Sequence, residues 1–124
     1  LENYNYDSLQ GRLHAQKDII ANKMVKEMYM TPKYISPCHA GSLFGVISAS
    51  GSVFPCEILE DKKIGELRDF DMNFMKMWKG EMTKQVKKFI LKSKCHCTYE
   101  CALSYNILSN WRYQPKLFAA AIKK

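Results

Sequence analysis

Five cysteines are the residues of this 124-residue chain best equipped for chemistry: Cys38, Cys56, Cys95, Cys97 and Cys101. Their spacing reads Cys38-x12-Gly51-x4-Cys56 and then, after a gap of 38 residues, Cys95-x-Cys97-x3-Cys101. Thiolates are soft donors that suit structural zinc and iron–sulfur centres, and both centres take four ligands of this kind. The odd count fits poorly with a complete set of internal disulfides. The chain opens Leu1-Glu2-Asn3-Tyr4, with no basic region leading into an apolar stretch and no initiator Met. These features set the expectation of an excerpt or processed product in a reducing, cytoplasmic compartment, where clustered thiols hold metal more often than crosslinks.

Spacing also bears on which metal. Zinc knuckles present close Cys-x2-Cys or Cys-x4-Cys pairs from a tight turn, whereas Cys38 and Cys56 are separated by 17 residues. That pattern favours a larger body, such as a cubane cluster held between a hairpin and a helix start. A structural zinc module using the same thiolates is the second reading, and inert buried thiols are the third. His39 and His96 read as surface histidines. Glu57 has no second carboxylate placed to work with it, so a hydrogen bond that holds the hairpin loop is its expected role. Gly41, Gly51 and Gly65 are too scattered for a phosphate-cradling loop.

The elements that must position these residues follow from periodicity. Leu9, Leu13, Ile20, Met24 and Met28 recur on one face, which predicts a first helix capped by Asp7 or Ser8 and ended in the boundary Thr31–Pro37. Residues 44–49 and 53–56 predict a two-stranded hairpin with Gly51 at its apex and Pro55 on a free edge. Residues 64–68 read as a connector. Met75, Trp78, Met82, Val86 and Phe89/Ile90 predict one amphipathic helix over 71–92 with that stripe as its core face. The other face carries Lys76, Lys79, Lys84, Lys87 and Lys88. Helical stretches over 102–111 and near 117–122 close the chain. The fold class is therefore α+β: a small β-hairpin with flanking helices around a cysteine-ligated cluster.

In this order, Cys38-His39-Ala40-Gly41, Val46-Ile47, the run from Gly51 to Pro55-Cys56-Glu57, Ile64-Gly65-Glu66-Leu67 and the cysteine knuckle resemble the SPASM or twitch domain of radical S-adenosylmethionine (radical SAM) enzymes. That family opens with Cys-x9–15-Gly-x4-Cys, and the likeness runs over roughly 34–108. The resemblance implies an auxiliary [4Fe-4S] cluster beside a separate catalytic barrel. Its ligands would be Cys38, Cys56, Cys101 and either Cys95 or Cys97. Five thiols cannot fully ligate two cubanes, which need eight, so one cluster is the expectation. The domain would be 34–124, with 1–33 as a helical connection to the missing barrel.

The family's catalytic Cys-x3-Cys-x2-Cys is absent, since Ser104 stands where Cys97-x3-Cys101 would need a third cysteine. S-adenosylmethionine would then enter only through the barrel, and the chain alone is not expected to be active. The implied role is electron transfer or substrate anchoring during radical modification, with a peptide or protein among the substrates. No apolar run approaches membrane-spanning length, so no membrane partner is expected. A formal net charge of +7 raises a basic nucleic-acid-binding module as a further alternative. No RNA-module motif or aromatic interleaving supports it.

Overall fold

A computed structural model describes residues 7–122. The expected 1–33 connection begins, and the expected 34–124 domain ends, in residues outside that range. The chain forms two units: the described residues up to Pro37 together with those from His96 onward, and Cys38–Cys95.

In the first unit, helix α1 spans Leu9–Met30. Ser8 caps it, its hydroxyl accepting from the Gly11 N–H at 3.0 Å, which satisfies one of the four orphan donors of the first turn. Helices α4, Glu100–Ser109, and α5, Gln114–Ile122, pack on α1. Their shared core contains Ile20, Met24 and Met28 from α1, with Leu103, Ile107 and Leu117 opposite. Leu9, though in phase with this stripe, is 59% exposed, because it precedes the packed part of the helix.

The second unit is built on a three-stranded antiparallel sheet in the order β1-β2-β3. Strand β1 is Val46–Ile47, β2 is Ser52–Phe54 and β3 is Gly65–Glu66. Val46 faces Phe54, and Val53 faces both Ile47 and Gly65. The predicted hairpin is present, but the segment read as a connector supplies a third strand. Strand β2 is therefore central, and Pro55 lies fully buried just past its end rather than on a free edge. Its missing N–H costs nothing there, because the sheet ladder ends at Phe54.

Gly51 turns the hairpin at φ 94°, with its N–H donating to the Ser48 carbonyl at 2.9 Å. A side chain is strained in that left-handed region. Gly51→Ala is expected to lower stability by about 1 kcal/mol or more, read as a lower chemical-denaturation midpoint; an unchanged midpoint would remove the argument. The hairpin is tied to β3 by the Ser52 hydroxyl, which donates to Glu66 at 2.7 Å. Lys63 and Ser52 together hold the Glu66 carboxyl below the usual carboxylate range.

The predicted single helix over 71–92 is two. A 3-10 turn, Leu67–Phe70, leads to α2, Phe74–Trp78, which Asn73 caps through the Lys76 N–H. Helix α3 starts afresh at Glu81–Lys92 with Gly80 as its extended N-cap. The break frees the Met77 carbonyl, which accepts from Gly80 N–H at 2.8 Å and from the buried Thr83 hydroxyl at 3.1 Å. It also resets the phase of the core stripe. Met77, Thr83, Val86 and Ile90 are buried, while Met75, Met82 and Phe89 of the predicted stripe are 51%, 49% and 39% exposed. Phe89 instead offers its ring to the Lys62 ammonium, 4.7 Å from the centroid. Of the lysine face, Lys76, Lys79, Lys84 and Lys88 are exposed and Lys87 is half-buried.

Gly45 marks a close approach: a Cβ there would stand 2.6 Å from the Trp78 ring and 3.0 Å from the Phe54 carbonyl oxygen. Trp78, stacked on Phe74 at 5.0 Å, can therefore bring its ring up against Gly45 at the entry to β1.

Candidate metal centre

Cys38 and Cys56 are brought together by two local structures in the Cys38–Cys95 unit. After Cys38 the chain folds on itself: the His39 carbonyl accepts from Ser42 and Leu43, and the Gly41 N–H donates to the Phe44 carbonyl at 2.9 Å. Ala40 is buried at the centre of this loop and bridges to Phe44. Cys56 follows Pro55 off the end of β2 and is buried. Cys38 packs on the core cluster that contains Cys56.

The backbone N–H groups of Leu59 and Ile58 favour the Cys56 thiolate and draw its pKa down. Burial pushes the thiol above its ordinary range despite those donors, and the neighbouring charges of Cys38 and Glu57 add to the rise. A cleft of about 400 Å³ opens beside it, lined by Val46, Phe54, Glu57 and Glu60 among others. Glu57 is exposed on this cleft and His39 is half-buried.

A raised thiol pKa has a defined consequence for the metal-free protein. Its stabilising contribution is fully present below the unfolded value of 9.0 and is lost as the pH rises through the higher folded value. The thermal midpoint of the wild type relative to Cys56→Ala is therefore expected to be flat up to about pH 8 and to fall above pH 9. A difference that grows with pH would contradict the burial argument.

Cys95 is placed by the end of α3. Lys94 adopts the left-handed conformation (φ 49°), its N–H reaches the Leu91 carbonyl, and the Cys95 N–H reaches the Ile90 carbonyl at 3.1 Å. This is a Schellman closure, in which the residue after the left-handed position packs back on the last turn. Cys95 accordingly packs, with Cys38, against the core cluster that contains Cys56 and Ile90.

Cys97 and Cys101 belong to the other unit. Cys97 is half-buried, and exposed His96 meets the edge of the Tyr34 ring at 6.3 Å. Cys101 is exposed in the first turn of α4 and opens on a cleft of about 360 Å³ lined by Lys17, Asp18, Asn22 and Ser104 among others. Lys17, 13% exposed, donates to the Ser104 hydroxyl at 3.1 Å and pairs with Asp18 at 2.6 Å. The position that a radical SAM motif would fill with a third thiolate thus carries a hydroxyl held by an ammonium from α1.

None of the five cysteines is disulfide-bonded. Among the described residues, no group of three or more His, Cys, Asp or Glu side chains is gathered as a metal site. The donors therefore fit an iron–sulfur centre in kind, as soft thiols, while a full ligand set is not assembled among the described residues.

Residues 38–102 match the SPASM family, an iron–sulfur cluster-binding domain. The chain belongs to that family. Its mixed α+β fold, with a small antiparallel sheet and flanking helices, accords with a SPASM or twitch-like domain. No curated protein and no solved structure matches the chain. Among the described residues no helix is long and apolar enough to cross a membrane.

The sequence did not reveal three features of this SPASM domain. The N–H donors of Ile58 and Leu59 leave no side-chain signature. Lys17 lies 87 positions from Ser104, so no local pattern could pair them. The Schellman closure at Lys94 carries neither the Gly nor the Asn that usually marks one.

Proposed function

We propose that this domain holds one auxiliary [4Fe-4S] cluster through Cys38, Cys56, Cys101 and either Cys95 or Cys97, and serves a radical SAM barrel supplied by another part of the protein. The observation that supports the reading is that Cys38, in the matched span 38–102 and followed by x12-Gly51-x4-Cys56, packs on the core cluster that contains Cys56. When bound, such a cluster supplies one-electron transfer or, at an open iron, a point of attachment for substrate.

The chain's own contribution is electrostatic and geometric. The backbone N–H groups of Leu59 and Ile58, which favour the Cys56 thiolate, would raise the reduction potential of whatever that sulfur ligates. Held by the loop over 38–44 and by the end of β2, Cys38 and Cys56 would need less ordering when metal binds. In this role the domain would serve, in the cytoplasm, the radical modification of a peptide, a protein or a cofactor.

Anaerobic reconstitution with iron and sulfide tests it. The expected result is about four irons per chain and a broad visible band that dithionite bleaches. A colourless protein with one zinc per chain would replace the reading by a structural zinc module. Binding to nucleic acid that falls steeply with salt, without iron uptake, would favour the basic-module alternative.

A further inference from the structure

The unit containing α1, α4 and α5 carries a cleft of about 520 Å³ that no part of the cluster reading uses. Its floor is apolar: Ile20 and Met24 from α1, and Ile35 from the segment after it. Tyr34 and Tyr113 stand at its walls. The rim is cationic. Glu27 is already paired with Lys33 at 2.5 Å, and Lys23, Arg112 and Lys116 make no ion pair among the described residues. The surplus over the lining is four cations less one carboxylate, or three positive charges.

This cleft is held in shape before anything binds. The Asn110 side chain donates to the buried Ser36 hydroxyl at 3.2 Å and accepts from the Arg112 N–H at 3.0 Å, so one residue ties the segment after α1 to the α4–α5 turn. The Gln114 amide clamps the same turn through the Leu108 carbonyl at 2.6 Å. The Tyr34 ring is braced edge-on by His96. Residues 20, 23, 24 and 27 share one face of α1 through spacings of three and four.

We propose that this cleft docks an acidic peptide segment of a partner protein, with an apolar side chain on the floor and carboxylates on the rim. The volume lies within the range of ligand pockets and accommodates a few residues. Carboxylates spread along a peptide match cations spread around a rim on long stems. A phosphate ligand is matched less well, because phosphate sites converge backbone N–H groups. Here the N–H groups of Arg112, Tyr113, Gln114 and Leu117 are used within the chain and Pro115 has none, which leaves at most the Lys116 N–H of this turn, where a phosphate site converges several. The inference stands apart from the cluster reading and is measured whether or not the chain takes up iron.

The test uses the full chain and a short fluorescein-labelled peptide of alternating glutamate and leucine, followed by anisotropy. Saturable binding that weakens with salt is expected. The double variant Lys23→Ala/Arg112→Ala should weaken it about tenfold, and Tyr34→Ala should weaken it also. Lys84→Ala/Lys88→Ala, which removes the same charge from α3, should leave it unchanged, and all variants are checked for native circular dichroism. Equal weakening by the α3 variant would reduce the binding to net charge and overturn the proposal. So would displacement of the peptide by inorganic pyrophosphate or by a single-stranded oligonucleotide at lower concentration than by unlabelled peptide, or an absence of binding.

Discussion

Cys56→Ser is expected to take the reconstituted protein from about four irons per chain to less than about one, with loss of the visible band. The substitution replaces a soft sulfur by a hydroxyl, a poor ligand for iron in this setting. The cleft beside Cys56 offers only carboxylates and a hydroxyl as further donors, so the fifth thiol is the one soft replacement, and Cys56→Ser/Cys95→Ser and Cys56→Ser/Cys97→Ser remove it in turn. Cys38→Ser should behave alike. A comparison of Cys95→Ser with Cys97→Ser then identifies the fourth ligand, because only one of the two should release the cluster. Full iron content in Cys56→Ser would end the assignment of the pair, whatever else in the chain takes up metal.

Met77→Ala is expected to cost the folded protein about 2–5 kcal/mol, the range for truncating a buried large side chain where the surroundings collapse only in part. Met77 is 1% exposed at the centre of the Cys38–Cys95 core, and its sulfur lies 3.1 Å from where a Cβ on Gly65 would stand. It thus fills the space against β3 and holds α2 to the core. The thermal midpoint should fall by roughly 10 °C, while Met77→Leu, which keeps most of the volume, should cost less than about 1.5 kcal/mol. A midpoint unmoved by the alanine change would mean that this core does not depend on the α2–α3 break for its packing.

These two residues differ in how visible they were beforehand. Cys56 stood out because its spacing to Gly51 and Cys38 is written along the chain, and the hairpin that Gly51 allows folds it back toward Cys38. Met77 was invisible. Reading 71–92 as one helix placed the stripe on Met75, Met82 and Phe89, all of which are exposed. The break at Gly80 restarts the helix, and each segment then buries its own face. Gly80 was legible as a weak point, but whether a glycine bends, caps or merely weakens a helix is decided by what satisfies the freed carbonyls. Here that is the Thr83 hydroxyl.

The sheet shows the same division. Gly51 and the β-rich runs on either side of it predict the hairpin. Strand β3 is two residues long, too short to display a period, and exists because Val53 and Ser52 have a free side to pair with Gly65 and Glu66. That pairing moved Pro55 from a supposed edge to the interior.

The sequence by itself determined the thiol inventory, the motif order that identifies the SPASM family, the capped first helix and the hairpin turn, because each rests on bonds or spacings local to the chain. Only the tertiary structure decided which sulfurs are buried, which face of the lysine-rich helix is buried, and where unpaired cations gather over an apolar floor. Those outcomes depend on segments tens of residues apart competing to exclude water from the same surface, and no local pattern records who wins.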